Sequence, residues 1–149
     1  MALFEQIDHD LVTARKERDA VRLAALGLLK SEVVRAAKEP GAGGTGDELV
    51  IRIIRREVKR REEAAQAYSS AGRQESARKE EAEGEVLRTY LPAAIGDEEL
   101  ERELRAVIDE VRPQGPGDFG AVMKAATARL GGRAEGGRIA AAARRLIGS

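Results

Sequence analysis

The chain has 149 residues, of which 42% are apolar and only 3% aromatic, and its 26 basic residues are balanced by 26 acidic ones. This length suits one domain or two small subdomains with an aliphatic core, and the zero net charge argues against a protein that binds nucleic acid through overall charge alone. The absence of cysteine excludes disulfide bonds and thiolate metal sites.

The first predicted element is an amphipathic helix near the N-terminus. The apolar residues on its stripe are Leu3, Phe4, Ile7 and Leu11. The same segment is acidic and lacks the basic head and the apolar core of a signal peptide. The apolar run Leu23–Leu29 in the first half is far shorter than the ~20 residues that a membrane span needs. We therefore expect a soluble cytoplasmic protein with no membrane partner.

Asp19 is placed to cap a second helix, which is apolar on most sides and is expected to lie at the centre of the first half. The residues expected on its buried side are Val21, Ala24, Ala25, Leu28 and Leu29, widened by Leu23, Leu26 and Val33. Gly27 in its middle costs about 1 kcal/mol relative to Ala, and we interpret it as a point of close packing against a neighbouring helix.

A loop is predicted over residues 39–48, because Pro40 stops the second helix and four glycines follow it. Thr45 precedes Glu48 by three residues, which fits a capping box that opens a third helix. This helix is strongly basic, since residues 50–61 contain six bases and one acid. Its expected buried stripe consists of Ile51, Ile54, Val58, Ala65 and Tyr68.

A fourth helix is predicted to end before Pro92, because proline disfavours helix at the residue that precedes it. The predicted domains are an N-terminal helical subdomain, residues 1–91, and a C-terminal three-helix subdomain, residues 97–149, joined by a linker over residues 92–96. No stretch alternates as a strand does. The predicted fold class is therefore all-α, with an N-terminal helical bundle or hairpin and a compact C-terminal part.

No constellation of catalytic residues stands out in the sequence. His9 lies in an acidic terminal helix, where a solvated side chain is the expected state, and the chain has no cysteine nucleophile. A cluster of glutamates on a very polar helix indicates a solvated face rather than a metal site; it comprises Glu80, Glu81, Glu83 and Glu85. A general acid–base carboxylate pair stays open, but we expect no catalytic site, no metal and no cofactor.

The segment GGRAEGG, residues 131–137, has the glycine spacing of a phosphate-binding loop at Gly131 and Gly136. Gly137 and Arg138 stand where such a loop requires Lys and Ser or Thr, so we reject nucleotide binding there. We expect instead a turn between two helices, with Gly131 or its neighbour at positive φ. The free amides at the start of the last helix leave an anion site open.

Charge is unevenly distributed in the C-terminal part. Residues 97–110 contain seven acids and two bases, whereas residues 112–149 contain seven bases and two acids. Two interpretations are equally weighted: the two segments neutralise each other, or the basic segment forms an anion-binding face. The candidate RNA-binding or anion-binding residues are Lys124, Arg129, Arg133, Arg138 and Arg144.

A composite motif in the second half resembles the GatB/YqeY family. Its pieces are YLP at 90–92, DEEL at 97–100, D-x-G-x-V-M-K at 118–124 and G-R-A-x-G at 132–136, in the family's order. The first half fits as well, with E-x-K-x-R at 57–61. Besides Lys124 and Arg133, the motif positions, expected to be mainly structural, are Tyr90, Leu91, Pro92, Gly120, Val122, Met123, Gly132, Ala134, Glu135 and Gly136.

The resemblance implies a free-standing, all-helical YqeY-like protein. The same module forms the tail of the B subunit of the glutamine-dependent tRNA amidotransferase, a carbon–nitrogen ligase, where it resembles a tRNA-holding appendage separate from the catalytic chemistry. It therefore implies a non-catalytic, tRNA-associated module, and the alternative is an adaptor that docks amidotransferase-like machinery without touching RNA. Glu135 stands where the family usually has Asp, and Gly96 where a Ser cap is usual, which indicates that the motif is partly structural.

Overall fold

The computed structural model describes residues 1–148, which form seven α-helices and one short 3-10 helix and contain no β-strand. The α-helices are α1 (Leu3–Glu17), α2 (Ala20–Ala37), α3 (Asp47–Ser70), α4 (Gln74–Arg88), α5 (Asp97–Val111), α6 (Phe119–Leu130) and α7 (Gly136–Ile147), and the 3-10 helix is Pro116–Asp118. The predicted all-α fold class is confirmed. None of the helices in residues 1–148 has the length and apolar character that a membrane crossing demands.

The chain packs as two compact units, which we call unit 1 (Met1–Leu91) and unit 2 (Pro92–Ser149). Each unit buries its own set of aliphatic residues. Residues 92–96, predicted as a linker, belong to unit 2, and Ile95 within them is part of its core. Whether residues 1–91 and 97–149 fold as separate domains stays a prediction.

Unit 1 is a four-helix arrangement in which α2 and α3 each contact the three other helices. Asp19 caps α2 as predicted, because its carboxylate accepts a hydrogen bond from the backbone N–H of Arg22 at 3.1 Å. The aliphatic core is drawn from all four helices; its buried residues are Ile7, Leu11, Ala25, Leu26, Leu29, Val33, Leu49, Val50, Ile53, Ile54, Val58 and Leu87.

The predicted buried side of α2 is partly wrong. Val21, Ala24 and Leu28 face solvent, and Leu28 is 46% exposed, while the opposite side carries the core contacts. The sequence could not separate the two sides because α2 is apolar almost all round. The interpretation of Gly27 is also wrong, since a Cβ at this position would meet no atom within 4 Å.

The capping box predicted at Thr45 does not form. Gly46 is the N-cap of α3, and no side chain caps this helix start. The first acidic residue of α3, Asp47, instead caps the start of α1. Its carboxylate accepts a hydrogen bond from the backbone N–H of Leu3 at 2.9 Å. This long-range contact fixes the start of α1 against the start of α3, and no local sequence rule predicts it.

Unit 2 is a three-helix arrangement in which α5, α6 and α7 contact one another. Its core is aliphatic and rich in alanine; the buried residues are Ile95, Leu100, Leu104, Val107, Val122, Ala126, Leu130, Ala134, Ile139, Ala142 and Ala143. Small side chains on α6 and α7 allow the two helices to lie close together in this core. The turn between these helices contains the sequence GGRAEGG.

Candidate functional site

The turn at residues 131–137 begins with the C-cap of α6 at Gly131 and leads within a few residues into the start of α7 at Gly136. Gly131 lies at φ +58° and Gly132 at φ +86°, the left-handed region in which a Cβ is unfavourable. The N–H of Gly131 donates to the carbonyl of Thr127 at 3.2 Å and so satisfies the end of α6. The predicted positive φ is therefore found at both glycines, and the turn has a structural role.

Two arginines of this turn region bind backbone groups. The Ile95 N–H donates to the Arg133 carbonyl at 2.9 Å, and the Ile95 carbonyl accepts from Arg138 Nη1 at 2.7 Å. Arg133 Nε also donates to the carbonyl of Leu130 at 3.0 Å. Residues 92–96 are thus fastened to the turn through both backbone groups of one residue. Arg133 and Arg138 are parts of this fastening.

Three of the five candidate cations also form ion pairs with acidic residues of α5. The pairs are Arg129 with Glu103 and with Glu110 (3.4 Å), Arg133 with Glu99 (3.3 Å) and Arg138 with Asp97 (2.6 Å). The three arginine side chains are 34–40% exposed, whereas those of Asp97, Glu99 and Glu110 are 47–93% exposed. Carboxylates therefore share this surface with the guanidinium groups, and the charge there is mixed.

The strongest of these contacts alters the titration of both partners. The hydrogen bond from Arg129 lowers the pKa of Glu103, and the same bond raises the pKa of Arg129. Glu103 consequently stays ionised at a more acidic pH than an ordinary glutamate does. Three arginines of the basic segment therefore pair with acids of α5, in agreement with the first of the two interpretations for these residues, and an anion-binding face on the rest of the segment stays a prediction.

The remaining two candidates lie elsewhere on unit 2. Lys124 is exposed on α6 and forms no ion pair with any residue in 1–148. The Arg144 guanidinium lies over the Phe119 ring at 4.8 Å from its centroid, a cation–π contact between the end of α7 and the start of α6. Arg145 is also exposed but was not among the candidates. Neither α6 nor α7 contains an acidic residue.

The motif positions divide into buried and exposed groups. Val122 and Ala134 are buried in the core of unit 2, and Met123 is half-buried against it. Gly120 and Gly136 have open space around the position of a Cβ, so packing does not require glycine at either site. Glu135, the N-cap of α7 in place of the usual Asp, makes no side-chain capping bond.

Tyr90 and Leu91 of the YLP motif pack against the core of unit 1. The Tyr90 hydroxyl donates to the Asp10 carboxylate on α1. Burial, and then this hydrogen bond, raise the pKa of Tyr90 well above its ordinary value. The YLP motif, which ends in Pro92, thus ties the end of the α4 segment to the first helix.

The helix α3 carries a charged arrangement that the sequence reading did not predict. Glu57 is buried, and its carboxylate binds Arg60 at 3.0 Å and Arg61 at 3.2 Å. Arg61 is itself buried beside it. The spacing of Glu57 with arginines three and four residues later is a signal of such pairs, but it does not reveal burial.

A second carboxylate extends this arrangement to α2. Glu32 binds Arg56 at 3.0 Å and also pairs with Arg35 on its own helix. The side chains of Glu32 and Glu57 are only 12% and 2% exposed, while those of Arg35, Arg56 and Arg60 are 44–69% exposed. The carboxylates of Glu32 and Glu57 thus lie beneath the guanidinium groups of these arginines, which are at the surface.

The acidic residues of α4 do not assemble a metal site. Within residues 1–148, no group of three or more His, Cys, Asp or Glu side chains could hold a metal ion. A cleft of about 410 Å³ lies between α3 and α4. Its charged lining residues are Arg61, Glu62, Arg78, Glu80, Glu81, Glu85 and Arg88, a mixture that favours neither an anion nor a cation.

The comparison with protein families gives a match over nearly the whole chain. A family model described as Yqey-like protein matches residues 4–147. The YqeY domain is the GatB C-terminal-like domain. The resemblance to the GatB/YqeY family that the motif indicated is therefore confirmed. Among curated proteins, no sequence matches the chain.

Proposed function

Because the chain belongs to the YqeY-like family, we propose that it is a non-catalytic helical module that associates with tRNA in the cytoplasm, in the context of translation. The family domain is a small helical module and not a known catalytic family. The resemblance to the tail of the tRNA amidotransferase B subunit supports tRNA as the partner. The whole matched region, and not one site residue, carries this part of the proposal.

The observation that carries RNA binding is the composition of α6 and α7. The two helices contain five bases and no acid, and two of these bases, Arg129 and Arg138, pair with α5. Lys124 and Arg145 remain exposed, with no ion pair to any residue in 1–148. Basic side chains of this kind bind phosphates and fix the position of RNA without reading its bases.

Folded RNA fits this proposal better than a single strand does. Single-strand binders stack bases on aromatic side chains, and this chain has only two Tyr and two Phe. Exposed glycines at positions 120 and 136 allow the backbone of a partner to approach α6 and α7 closely. Arg133 and Arg138 then fasten residues 92–96 to the turn, while Lys124, Arg144 and Arg145 are the nearer candidates for phosphate contact.

The test is tRNA binding measured across salt concentrations, with an unstructured RNA of equal length as the control. We expect tRNA to bind more tightly than the control, with an affinity that falls as salt rises. The variant Lys124→Gln/Arg145→Gln should bind less tightly than the wild type, whereas Arg78→Gln/Lys79→Gln, which removes two exposed charges from α4, should not. Failure of the wild type to bind tRNA at low salt would overturn the proposal.

One observation favours the adaptor alternative. Val21 and Leu28 occupy one exposed stripe of α2, and Leu28 is 46% exposed although it is a large apolar side chain. Such a stripe can dock the helix of a partner protein, and the zero net charge suits this role as well. If Leu28→Ser leaves the melting temperature unchanged but abolishes binding to an amidotransferase complex, the adaptor alternative gains support over tRNA binding.

A further inference from the structure

We propose that the exposed side of α3 is a second contact for the RNA phosphodiester backbone, located in unit 1. The α3 basic face is defined as Arg52, Arg56, Lys59 and Arg60, all of them exposed. This inference rests on the proposed function, because it takes folded RNA as the partner. It assigns that partner to a surface that neither the family match nor the candidate residues of unit 2 include.

The spacing of the α3 basic face matches one side of a helix. Its members lie at i, i+4, i+7 and i+8, so they point in similar directions along about 12 Å of helix. Glu48 and Glu63 bound the face at its two ends. A single small anion cannot contact cations spread over this distance, whereas a chain of phosphates can.

The α3 basic face is positive because the carboxylate that pairs with two of its arginines is buried below the surface. Glu57 lies beneath Arg56 and Arg60, at 3.7 Å from Arg56 Nε and 3.0 Å from Arg60 Nη1. Each of these arginines uses part of its guanidinium on the buried acid and exposes the rest. Lys59 and Arg52 form no ion pair with any residue in 1–148. An approaching ligand therefore meets cations first.

The chemistry of the α3 basic face fits a chain of phosphates better than it fits a lipid bilayer. The planar fork of arginine matches two oxygens of a phosphate, and three of the four residues are arginines. The buried carboxylate of Glu57 holds Arg56 and Arg60 in place before binding, which lowers the entropy lost on association. The face has no apolar side chain to insert into a membrane, because the apolar side of α3 is used in the core.

The experiment measures the tRNA affinity of the full-length variant Arg52→Gln/Lys59→Gln. We expect its dissociation constant to rise about tenfold at a fixed low salt concentration, because two phosphate contacts are lost. The control is Arg78→Gln/Lys79→Gln, which lowers the net charge equally on another helix of unit 1 and should change the dissociation constant less than twofold. Unfolding curves of both variants should superimpose on that of the wild type.

The outcomes separate this inference from the proposed function. If the wild type binds tRNA and both variants bind it as tightly as the wild type does, the inference is wrong while the proposed function stands. Equal weakening by both variants also overturns it, since binding would then follow net charge and not the α3 basic face. If the wild type does not bind tRNA, the proposed function is wrong, and the inference that rests on it is wrong too. If Arg52 and Lys59 instead bind an acidic protein, RNA is not the ligand of the α3 basic face.

Discussion

The arginines of α3 and those that flank the turn before α7 differ in where their acidic partners lie. Beneath the exposed guanidinium groups of α3 lie the buried carboxylate of Glu57 and the mostly covered carboxylate of Glu32 on α2. In unit 2, the carboxylates of Asp97 and Glu99 lie at the surface beside the arginines that they bind. An ion pair therefore leaves a positive surface when its acid is buried and a mixed surface when its acid is exposed.

The largest expected effect tests the buried half of this comparison. Replacing Glu57 by Gln leaves the buried Arg61 without its charged partner, and breaking a buried pair costs about 3–5 kcal/mol of unfolding free energy. Chemical denaturation measures this loss. The control Glu63→Gln, at an exposed position of the same helix, should unfold like the wild type. A Glu57→Gln variant as stable as this control would show that the buried carboxylate does not hold the arrangement together.

The next largest effect distinguishes an arginine of unit 2 that binds the backbone, Arg138, from one that makes only ion pairs, Arg129. Arg138→Ala removes a bond to the Ile95 carbonyl as well as the Asp97 pair, and a hydrogen bond from a charged group contributes about 1.5–3 kcal/mol. Arg129→Gln removes only side-chain ion pairs at the surface, so its melting temperature should match that of the wild type. Equal melting temperatures for the two variants would contradict the fastening role of Arg138.

A third prediction concerns Tyr90 and its pH dependence. Tyr90→Phe removes the bond to Asp10 and should cost about 1 kcal/mol near neutral pH. Because the pKa of Tyr90 is raised by folding, the folded protein keeps a proton that the unfolded chain loses near pH 10. The stabilisation is therefore complete below about pH 10 and declines above it. Denaturation at increasing pH should show the gap between wild type and variant closing; a constant gap would refute this linkage.

The smallest effect is a gain in stability. Gly27→Ala places a methyl group in open space within α2, at a residue with helical conformation. Alanine is favoured over glycine in a helix by up to about 1 kcal/mol, so the melting temperature should rise slightly. A fall in melting temperature would mean that Gly27 packs closely after all, as the sequence had indicated.

The sequence predicted the fold better than it predicted the surface. Helical spacing, the cap at Asp19 and the stop at Pro92 are local signals: α2 begins directly after Asp19, and α4 ends at Arg88, before Pro92. The solvent side of α2 was not predicted, because its apolar residues surround the helix and only the packing of three neighbours selects the buried side. The capping of α1 by Asp47 depends on residues 44 positions apart and has no local signature.

The candidate site was predicted only as a set of charges. The sequence identified the basic residues of unit 2 and left their neutralisation open, because a count of charges does not say which helix faces which. The pairs of Arg129, Arg133 and Arg138 with α5 are a result of tertiary packing. The six bases in residues 50–61 are evident from the sequence as well, but composition and spacing do not reveal that Glu57 is buried beneath them.

The most direct test compares the salt dependence of tRNA binding in two variants of equal net charge. Arg52→Gln/Lys59→Gln removes two cations that form no ion pair with residues 1–148, and Arg105→Gln/Arg129→Gln removes two that bind carboxylates of α5, none of which is buried. The slope of log affinity against log salt should become shallower by about 1.4–1.8 for the first variant, at 0.7–0.9 per lost phosphate contact, and should stay unchanged for the second. Equal changes of slope in the two variants would contradict the account, because overall charge and not the position of the acids would then govern RNA binding.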